Sequence, residues 1–315
     1  MNEPDGVVEA EVVALQQEAA GVLSVVLADP ERRLLPAWTP GAHIDLGLPD
    51  QVRQYSLCGD PADRRSYRIA VLREDRSGGG SRYVHETLRP GELVEVGGPR
   101  NHFALAAADE YVFVAGGIGI TPLLPMIAAA ERAGRPWRLT YGGRQRRSMA
   151  FLDELSAYGD RVALEPADER GLIDLPAAVG PPRPGVAVYC CGPEPLLAAV
   201  TAHCADWPPG ALHVERFQAR PRDEVDPADE RAFEVVLRRS GLRVPVPADR
   251  SVLDAVDGAG VPVANACRDG VCGSCETPVL GGVPDHRDSV LPADAAGSML
   301  ICVSRARTDE LVLDL

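Results

Sequence analysis

Four cysteines carry the clearest chemistry in the chain. Cys267, Cys272 and Cys275 lie in one short run, Cys-Arg-Asp-Gly-Val-Cys-Gly-Ser-Cys, and Cys302 follows after an insert. This is the plant-type spacing for a [2Fe–2S] cluster, with the fourth thiolate supplied from further along the chain. The spacing has a physical cause. Three thiolates must converge on a diiron rhomb from one tight loop, and Gly270 and Gly273 can adopt positive φ and let the backbone curl around the inorganic sulfurs. The N–H groups of such a loop can point at the cluster and help set its potential. The alternatives are a zinc knuckle or a disulfide pair. Zinc sites draw on two close pairs of ligands, whereas this is a triplet plus one. A [2Fe–2S] centre passes single electrons, so the rest of the chain should show where they come from.

Three segments surround or precede that loop. From residue 7 to about 103, short alternating stretches read as strands: Val7–Leu15, Leu23–Ala28, His43–Leu48, Gln54–Leu57, Tyr67–Leu72 and Leu93–Gly97. Pro and Gly punctuate them, which predicts a small antiparallel barrel. Within it lie Arg53-Gln-Tyr55-Ser56-Leu57 and a Gly-rich run, Ser77-Gly78-Gly79-Gly80-Ser81-Arg82, leading into a helical stretch. Glycine backbone before a helix start is an anion cradle, because free N–H groups face outward there. A flexible surface loop is the competing reading.

From 105 to about 218 strand and helix alternate. Glu110–Ala115 is a continuous apolar strand, as in a parallel sheet covered on both faces. Gly116-Gly117-Ile118-Gly119-Ile120-Thr121-Pro122 follows it, with Thr121 expected as N-cap and Pro122 at the first helical position. A later strand, Val186–Cys190, runs into Cys191-Gly192-Pro193 and another helix. Glycine turns at the carboxyl ends of strands are where open α/β sheets bind ligands. The run is not GxGxxG, and glycines that only shape tight turns would read the same way.

Residues 219–231 are charged and carry two prolines, which predicts a linker. Beyond it, Phe233–Arg238 and Arg243–Pro247 read as a hairpin, Ser251 as the cap of a helix through Asp257, and Glu276–Leu280, Met299–Val303 and Leu311–Leu315 as strands around the cysteines. The expected domains are therefore 1–104, 105–218 and 232–315, joined across 219–231.

Composition narrows the function. A net charge of -14 argues against a nucleic-acid partner. All 32 basic residues other than His are Arg, whose fork suits phosphate. No apolar run approaches the roughly 20 residues that span a bilayer, and Met1-Asn-Glu-Pro-Asp has no signal-peptide character. We expect a cytoplasmic monomer with no membrane contact. The other cysteines, Cys58, Cys190 and Cys204, read as small buried hydrophobes.

Taken together, these motifs and their order resemble the phthalate dioxygenase reductase family, within the wider ferredoxin–NADP reductase-like group. The resemblance covers nearly the whole chain. It implies a multidomain fold: an antiparallel β-barrel flavin domain, an α/β parallel-sheet nicotinamide domain and an α+β β-grasp ferredoxin domain. It implies FMN, with Arg53 and Gly79-Gly80-Ser81 at its phosphate, Tyr55 against the ring and Ser56 near N5. Gly116, Gly117, Gly119 and Thr121 resemble the family's nicotinamide turn, and Cys191, Gly192 and Pro193 its second turn beside the nicotinamide. Ser56 and Cys191 are the residues expected at the reacting atoms. Phe217, in Glu215-Arg216-Phe217, resembles the aromatic that lies near the flavin. Asp285–Leu291 resembles the stretch that follows the cluster loop. The implied activity takes electrons from NADH through FMN to the cluster, and on to a terminal oxygenase, Rieske-type or cytochrome P450. Arg144, Arg146 and Arg147 could instead hold the 2′-phosphate of NADPH. A stand-alone NAD(P)H oxidase or dye reductase is the first rival. A redox-sensing iron–sulfur module is the second, though it would not need two nicotinamide turns.

Overall fold

The computed structural model describes residues 7–49, 51–74, 79–220, 230–292 and 294–315. The N-terminal Met1-Asn-Glu-Pro-Asp, Ser77 and Gly78 of the Gly-rich run, and residues 221–229 of the predicted linker lie outside the described residues. The chain divides into two compact units, Met1–Glu215 and Arg216–Leu315.

The first unit opens with six antiparallel strands: β1 (Val8–Ala19), β2 (Val22–Ala28), β3 (His43–Leu48), β4 (Gln51–Ser56), β5 (Ser66–Leu72) and β6 (Leu93–Arg100), with helix α1 (Gly80–Glu86) before β6. Their order across the sheet is β4-β3-β6-β1-β2-β5. The two edges meet where the chain leaves β4: Leu57 bridges Ile69 of β5, and the Cys58 N–H donates to the Arg68 carbonyl at 2.8 Å. Alternating residues of these strands, among them Val12, Val25, Leu27, Ile44, Leu46 and Ile69, fill the interior. The period of two read from sequence therefore sorts the core correctly.

The same unit continues with a parallel sheet of β7 (Glu110–Gly116), β8 (Trp137–Gly143), β9 (Val162–Pro166), β10 (Val186–Cys191) and β11 (Leu212–Glu215), in the order β11-β10-β7-β8-β9. Helices α2 (Leu123–Arg132), α3 (Leu152–Ser156), α4 (Ala167–Arg170), α5 (Leu175–Val179) and α6 (Glu194–His203) connect the strands. Central strands β7 and β10 are buried along their length, apart from Glu110, because helices and loops cover both faces. Val22, Cys58 and Ala70 of the first sheet share one buried cluster with Ile120, Met126 and Cys191 of the second, so the two sheets are packed together.

Thr121 does not cap α2. The chain is already helical, as a 3-10 turn, over Gly117–Ile120, and the Thr121 hydroxyl donates to the Ile118 carbonyl at 2.9 Å. An N-cap needs extended backbone, and Thr121 and Pro122 are both in the right-handed helical region. Helix α5 and strand β11 were not read from the sequence, being short and weakly patterned.

The second unit holds β12 (Phe233–Leu237), β13 (Leu242–Val246), α7 (Val252–Gly258), β14 (Glu276–Gly281), β15 (Pro284–Asp285), β16 (Ser298–Leu300), β17 (Arg305–Ala306) and β18 (Glu310–Leu313). Its larger sheet runs β13-β12-β18-β14-β16, with β12 and β18 parallel, and β15 pairs with β17 separately. Ser251 caps α7 as read, its hydroxyl accepting from the Asp254 N–H at 3.0 Å. Val252, Leu253 and Val256 press that helix into the sheet's core. The strand expected over Met299–Val303 stops at Leu300. Ile301–Val303 form a turn, so Cys302 is not on a strand.

Candidate functional site

Cys267, Cys272 and Cys275 lie on the irregular loop between α7 and β14, and Cys302 on the turn after β16. None of the eight cysteines is in a disulfide. The loop needs three left-handed residues: Arg268 (φ 58°), Gly270 (φ 72°) and Gly273 (φ 72°). Arg268 is held there by Asp254 at 3.1 Å and by Asn265 at 3.2 Å. A side chain on Gly270 would meet Val303 Cγ2 at 2.5 Å, so glycine is required for space as well as for φ.

The four sulfurs come together in two pairs. Cys267 and Cys272 lie against each other, and that contact holds Cys272 below the usual thiol range and raises Cys267. Cys275 and Cys302 lie against each other in the same way, which lowers Cys275 and raises Cys302. Backbone N–H groups turn toward the same sulfurs: Asp269 to Cys267 at 3.3 Å, Ser274 to Cys272, and Gly270 to Cys302. Among the described residues, no group of three or more His, Cys, Asp or Glu could hold a single metal ion. Two pairs of soft donors, ringed by N–H groups, fit a two-iron cluster with two protein ligands on each iron.

In the first unit, β4 carries Arg53, Tyr55 and Ser56. A Cβ on Gly80 would stand 3.1 Å from Arg53 Cγ and 3.3 Å from Gln51 Cδ, so the start of α1 lies against the Arg53 stem. Gly79, at φ 93°, makes the turn into α1. The Ser81 hydroxyl accepts from the Glu74 N–H at 3.1 Å. The structure thus brings the two flavin-type motifs together at one end of the sheet. Tyr55 is half-buried, and that burial pushes its phenol up to about 12. Ser56 is buried, two residues before Cys58, which belongs to the same buried cluster as Ile120 and Cys191.

The two glycine turns of the parallel sheet touch. Strands β7 and β10 are neighbours, with Ala115 opposite Cys191, so their carboxyl ends lie side by side. A Cβ on Gly119 would come within 2.2 Å of the Cys191 carbonyl oxygen, and one on Gly116 within 2.6 Å of Pro193 Cδ. Gly192 packs on Gly116 at 2.9 Å from its own would-be Cβ. Gly117, at φ 55°, faces open space. These glycines are bare because two backbones approach each other there, and of the combined turns Gly117 and Gly192 are partly exposed and Pro193 is exposed. Cys191 itself is fully buried, and burial raises its thiol well above the usual range, which disqualifies it as a nucleophile.

Arg144, Arg146 and Arg147 follow β8 as read, and a carboxylate already engages Arg146. Arg146 pairs with Glu169 at 3.0 Å, Arg147 bonds Gln145, and Arg144 offers its carbonyl to the Asp168 N–H. Phe217 lies just past the boundary of the first unit and is exposed.

The 2Fe-2S iron-sulfur cluster binding domain matches residues 235–307, a span that contains the four cysteines. The chain is 48% identical to the phenoxybenzoate dioxygenase subunit beta of Ectopseudomonas oleovorans, over 98% of this chain and 97% of that one. It also superposes on phthalate dioxygenase reductase, described as a modular structure for electron transfer from pyridine nucleotides to [2Fe-2S], with a TM-score of 0.72, 37% identity and 98% coverage of both chains. The chain belongs to the phthalate dioxygenase reductase family. It is an oxidoreductase of the oxygenase reductase class. An intact type IV self-sufficient cytochrome P450 monooxygenase contains a similar stretch, with a TM-score of 0.93 and 46% identity. There this chain spans 98% of its own length but only 41% of the larger protein.

Sequence reading passed over one residue of this reductase. Glu215 ends β11 directly beside Cys191, to which it is paired in register. Its Oε2 is buried without a hydrogen-bond partner, and burial pushes the carboxyl up to about 8. The signal was present, since an acid ends an apolar strand, but β11 itself was not recognised.

Two outcomes follow from this geometry. Gly119→Ala forces a methyl into the Cys191 carbonyl, and overpacking of this kind costs about 1–3 kcal/mol. The KM for NADH should rise roughly tenfold or more, while circular dichroism stays unchanged; an unaltered KM removes this turn from the nicotinamide site. Glu215 keeps its proton in the folded chain to about pH 8, whereas an ordinary carboxyl loses it near 4.5. The folded state is therefore favoured most below about 4.5 and loses that advantage as pH rises toward about 8. Denaturation of Glu215→Gln against the parent protein should show the variant gaining relative stability across that window and no further above it. Parallel curves would place Glu215 in contact with solvent.

Proposed function

We propose that this reductase draws electrons from NADH, passes them through FMN to a [2Fe–2S] cluster on Cys267, Cys272, Cys275 and Cys302, and delivers them singly to a terminal oxygenase. The observation that carries the reading is the left-handed loop before β14, which presents Cys267, Cys272 and Cys275 with the Asp269 N–H donating to Cys267 at 3.3 Å, together with Cys302 on the turn after β16. Arg53 and the Gly79-Gly80-Ser81 turn hold the flavin phosphate, a reading supported by the packing of Gly80 on the Arg53 stem. Tyr55 covers the ring, and Ser56 sits at its reactive edge. Gly116, Gly117, Gly119 and Thr121, with Cys191, Gly192 and Pro193, receive the nicotinamide on bare peptide. Cys191 and Glu215, both uncharged in this buried corner, shape that pocket without adding charge beside the transferred electrons. When bound, the flavin takes two electrons together and releases them one at a time.

The domain reading follows the same parts. Residues 1–104 form the flavin domain, a barrel closed at the Leu57–Ile69 bridge, and 105–218 the nicotinamide domain. Residues 232–315 form a β-grasp ferredoxin domain, supported by the parallel pairing of β12 with β18 across one packed helix. NADH is favoured over NADPH because Glu169 already occupies Arg146, and Glu165 and Asp168 stand nearby. A 2′-phosphate would meet those carboxylates. The partner is a Rieske-type oxygenase or a cytochrome P450: one relative is a dioxygenase subunit, and another carries a similar stretch within a P450 monooxygenase. Among the described residues no helix is long and apolar enough to cross a membrane.

Chromatography of the flavin released on denaturation should give FMN, and FAD would overturn the phosphate assignment. The kcat/KM for NADH should exceed that for NADPH by at least tenfold, each tenfold being about 1.4 kcal/mol; equal values would mean the arginines at 144–147 outweigh their carboxylates. Cys272→Ser replaces a soft thiolate with a poor iron ligand. The variant should lose the visible absorbance of the cluster, still reduce two-electron dyes with NADH, and fail to reduce cytochrome c at the parent rate. Full cytochrome c activity without a cluster would sink the proposed exit route.

A further inference from the structure

We propose that Asp288 and Ser304 are positioning residues for the cluster. They close a ring of hydrogen bonds that fastens the fourth thiolate, Cys302, to the loop bearing the other three, and the buried Asp288 carboxylate holds the cluster's reduction potential down. The proposal rests on the four-cysteine assignment above and adds to it residues outside the ligand set.

Cys302 is on a turn, where no sheet ladder fixes it. The bonds flanking it, Ile301 N–H to Cys275 O and Val303 N–H to Leu300 O, are both 3.4 Å, and the turn is closed by the Ser304 N–H to Leu300 O at 3.0 Å, so the residue that closes it is Ser304. The ring can be traced residue by residue. The Gly270 N–H faces the Cys302 sulfur. Two residues after Cys302, the fully buried Ser304 donates its hydroxyl to Asp288 Oδ2 at 3.2 Å and accepts the Arg287 N–H at 3.1 Å. The next residue, Ser289, returns its N–H to the Gly270 carbonyl at 2.8 Å. Gly270 is thus gripped by Ser289 through its carbonyl, while its N–H, in the preceding peptide group, faces the ligand. The grip is close: a Cβ on Gly270 would stand 3.1 Å from Asp288 Cα.

Asp288 anchors the ring. Its side chain has no exposed surface. Oδ1 accepts the N–H groups of Val290 and Leu291 at 2.9 and 2.6 Å, and Oδ2 accepts Ser304. His286 Nδ1 stands 3.4 Å from the same oxygen, with its Nε2 donating to the Ala295 carbonyl at 2.6 Å. Arg287 turns away to Glu230 and Asp285, so it does not neutralise Asp288. The Asp288 carboxyl is the acceptor in all three of its hydrogen bonds with Val290, Leu291 and Ser304. Adding an electron beside a buried negative charge is opposed, and poorly screened, so removal of the charge eases reduction.

The test uses the full-length holoprotein and two variants. Asp288→Asn keeps an acceptor for Val290 and Leu291 but loses the charge. Ser304→Ala keeps the charge but opens the ring. An EPR-monitored redox titration should show the Asp288→Asn cluster reduced at a more positive potential than the parent. Chelator-driven bleaching of the visible bands should run roughly tenfold faster in Ser304→Ala, as expected for loss of a hydrogen bond to a charged group. The exposed Asp309→Asn serves as the control, with parent potential and parent bleaching. Parent behaviour in both test variants would overturn the proposal while leaving the cluster assignment intact. A parent protein without a [2Fe–2S] EPR signal would overturn that assignment instead.

Discussion

Four sulfurs that act as thiolates cannot share a buried site without compensation, and much of the second unit answers that constraint. Burying a charged group costs several kcal/mol unless partners are supplied. Here the sulfurs lie in pairs, and loop N–H groups from Asp269, Gly270 and Ser274 face them. The backbone can present those groups only by bending through left-handed φ at Arg268, Gly270 and Gly273. Arg268 is the costly member of the three, and its ion pair with Asp254 on α7 holds it in place. The helix that packs the core thus also steadies the loop.

The first unit solves a different problem with related means. A planar cofactor needs backbone with little side chain in the way. The parallel sheet provides it where β7 and β10 end together, and there the turns approach so closely that a methyl at Gly116, Gly119 or Gly192 has no room. Glycine at these positions is dictated first by packing between turns. Cys191 and Glu215, adjacent across β10 and β11, line the same corner and are kept neutral by burial. A neutral lining suits a site where charge is to move between bound groups.

The ion pairs follow a third logic. Arg146 with Glu169, and Arg287 with Glu230 and Asp285, satisfy arginines that composition alone would mark as phosphate ligands. Arg53 differs, because its stem lies against glycine at the start of α1 and its guanidinium donates to the adjacent Val52 carbonyl at 3.1 Å. An arginine's role in this chain is decided by whether a carboxylate reaches it first, and that is a matter of tertiary neighbours.

What the sequence determined by itself was whatever local spacing dictates. The cysteine intervals specify a loop of one size, the period of two sorts the residues of β1 to β6 into inside and outside, and Ser251 caps α7 through its own third neighbour. Each of these is a relation between residues a few positions apart. Thr121 shows the limit, since a good capping residue was overridden once the preceding glycines turned helical. The tertiary structure alone decided the relations that cross the chain: that Gly80 meets Arg53, that Glu215 lies beside Cys191, and that Ser304 reaches Asp288. Those contacts come from strand order and turn packing, which depend on which apolar faces find each other when the chain collapses, and no local interval records that choice.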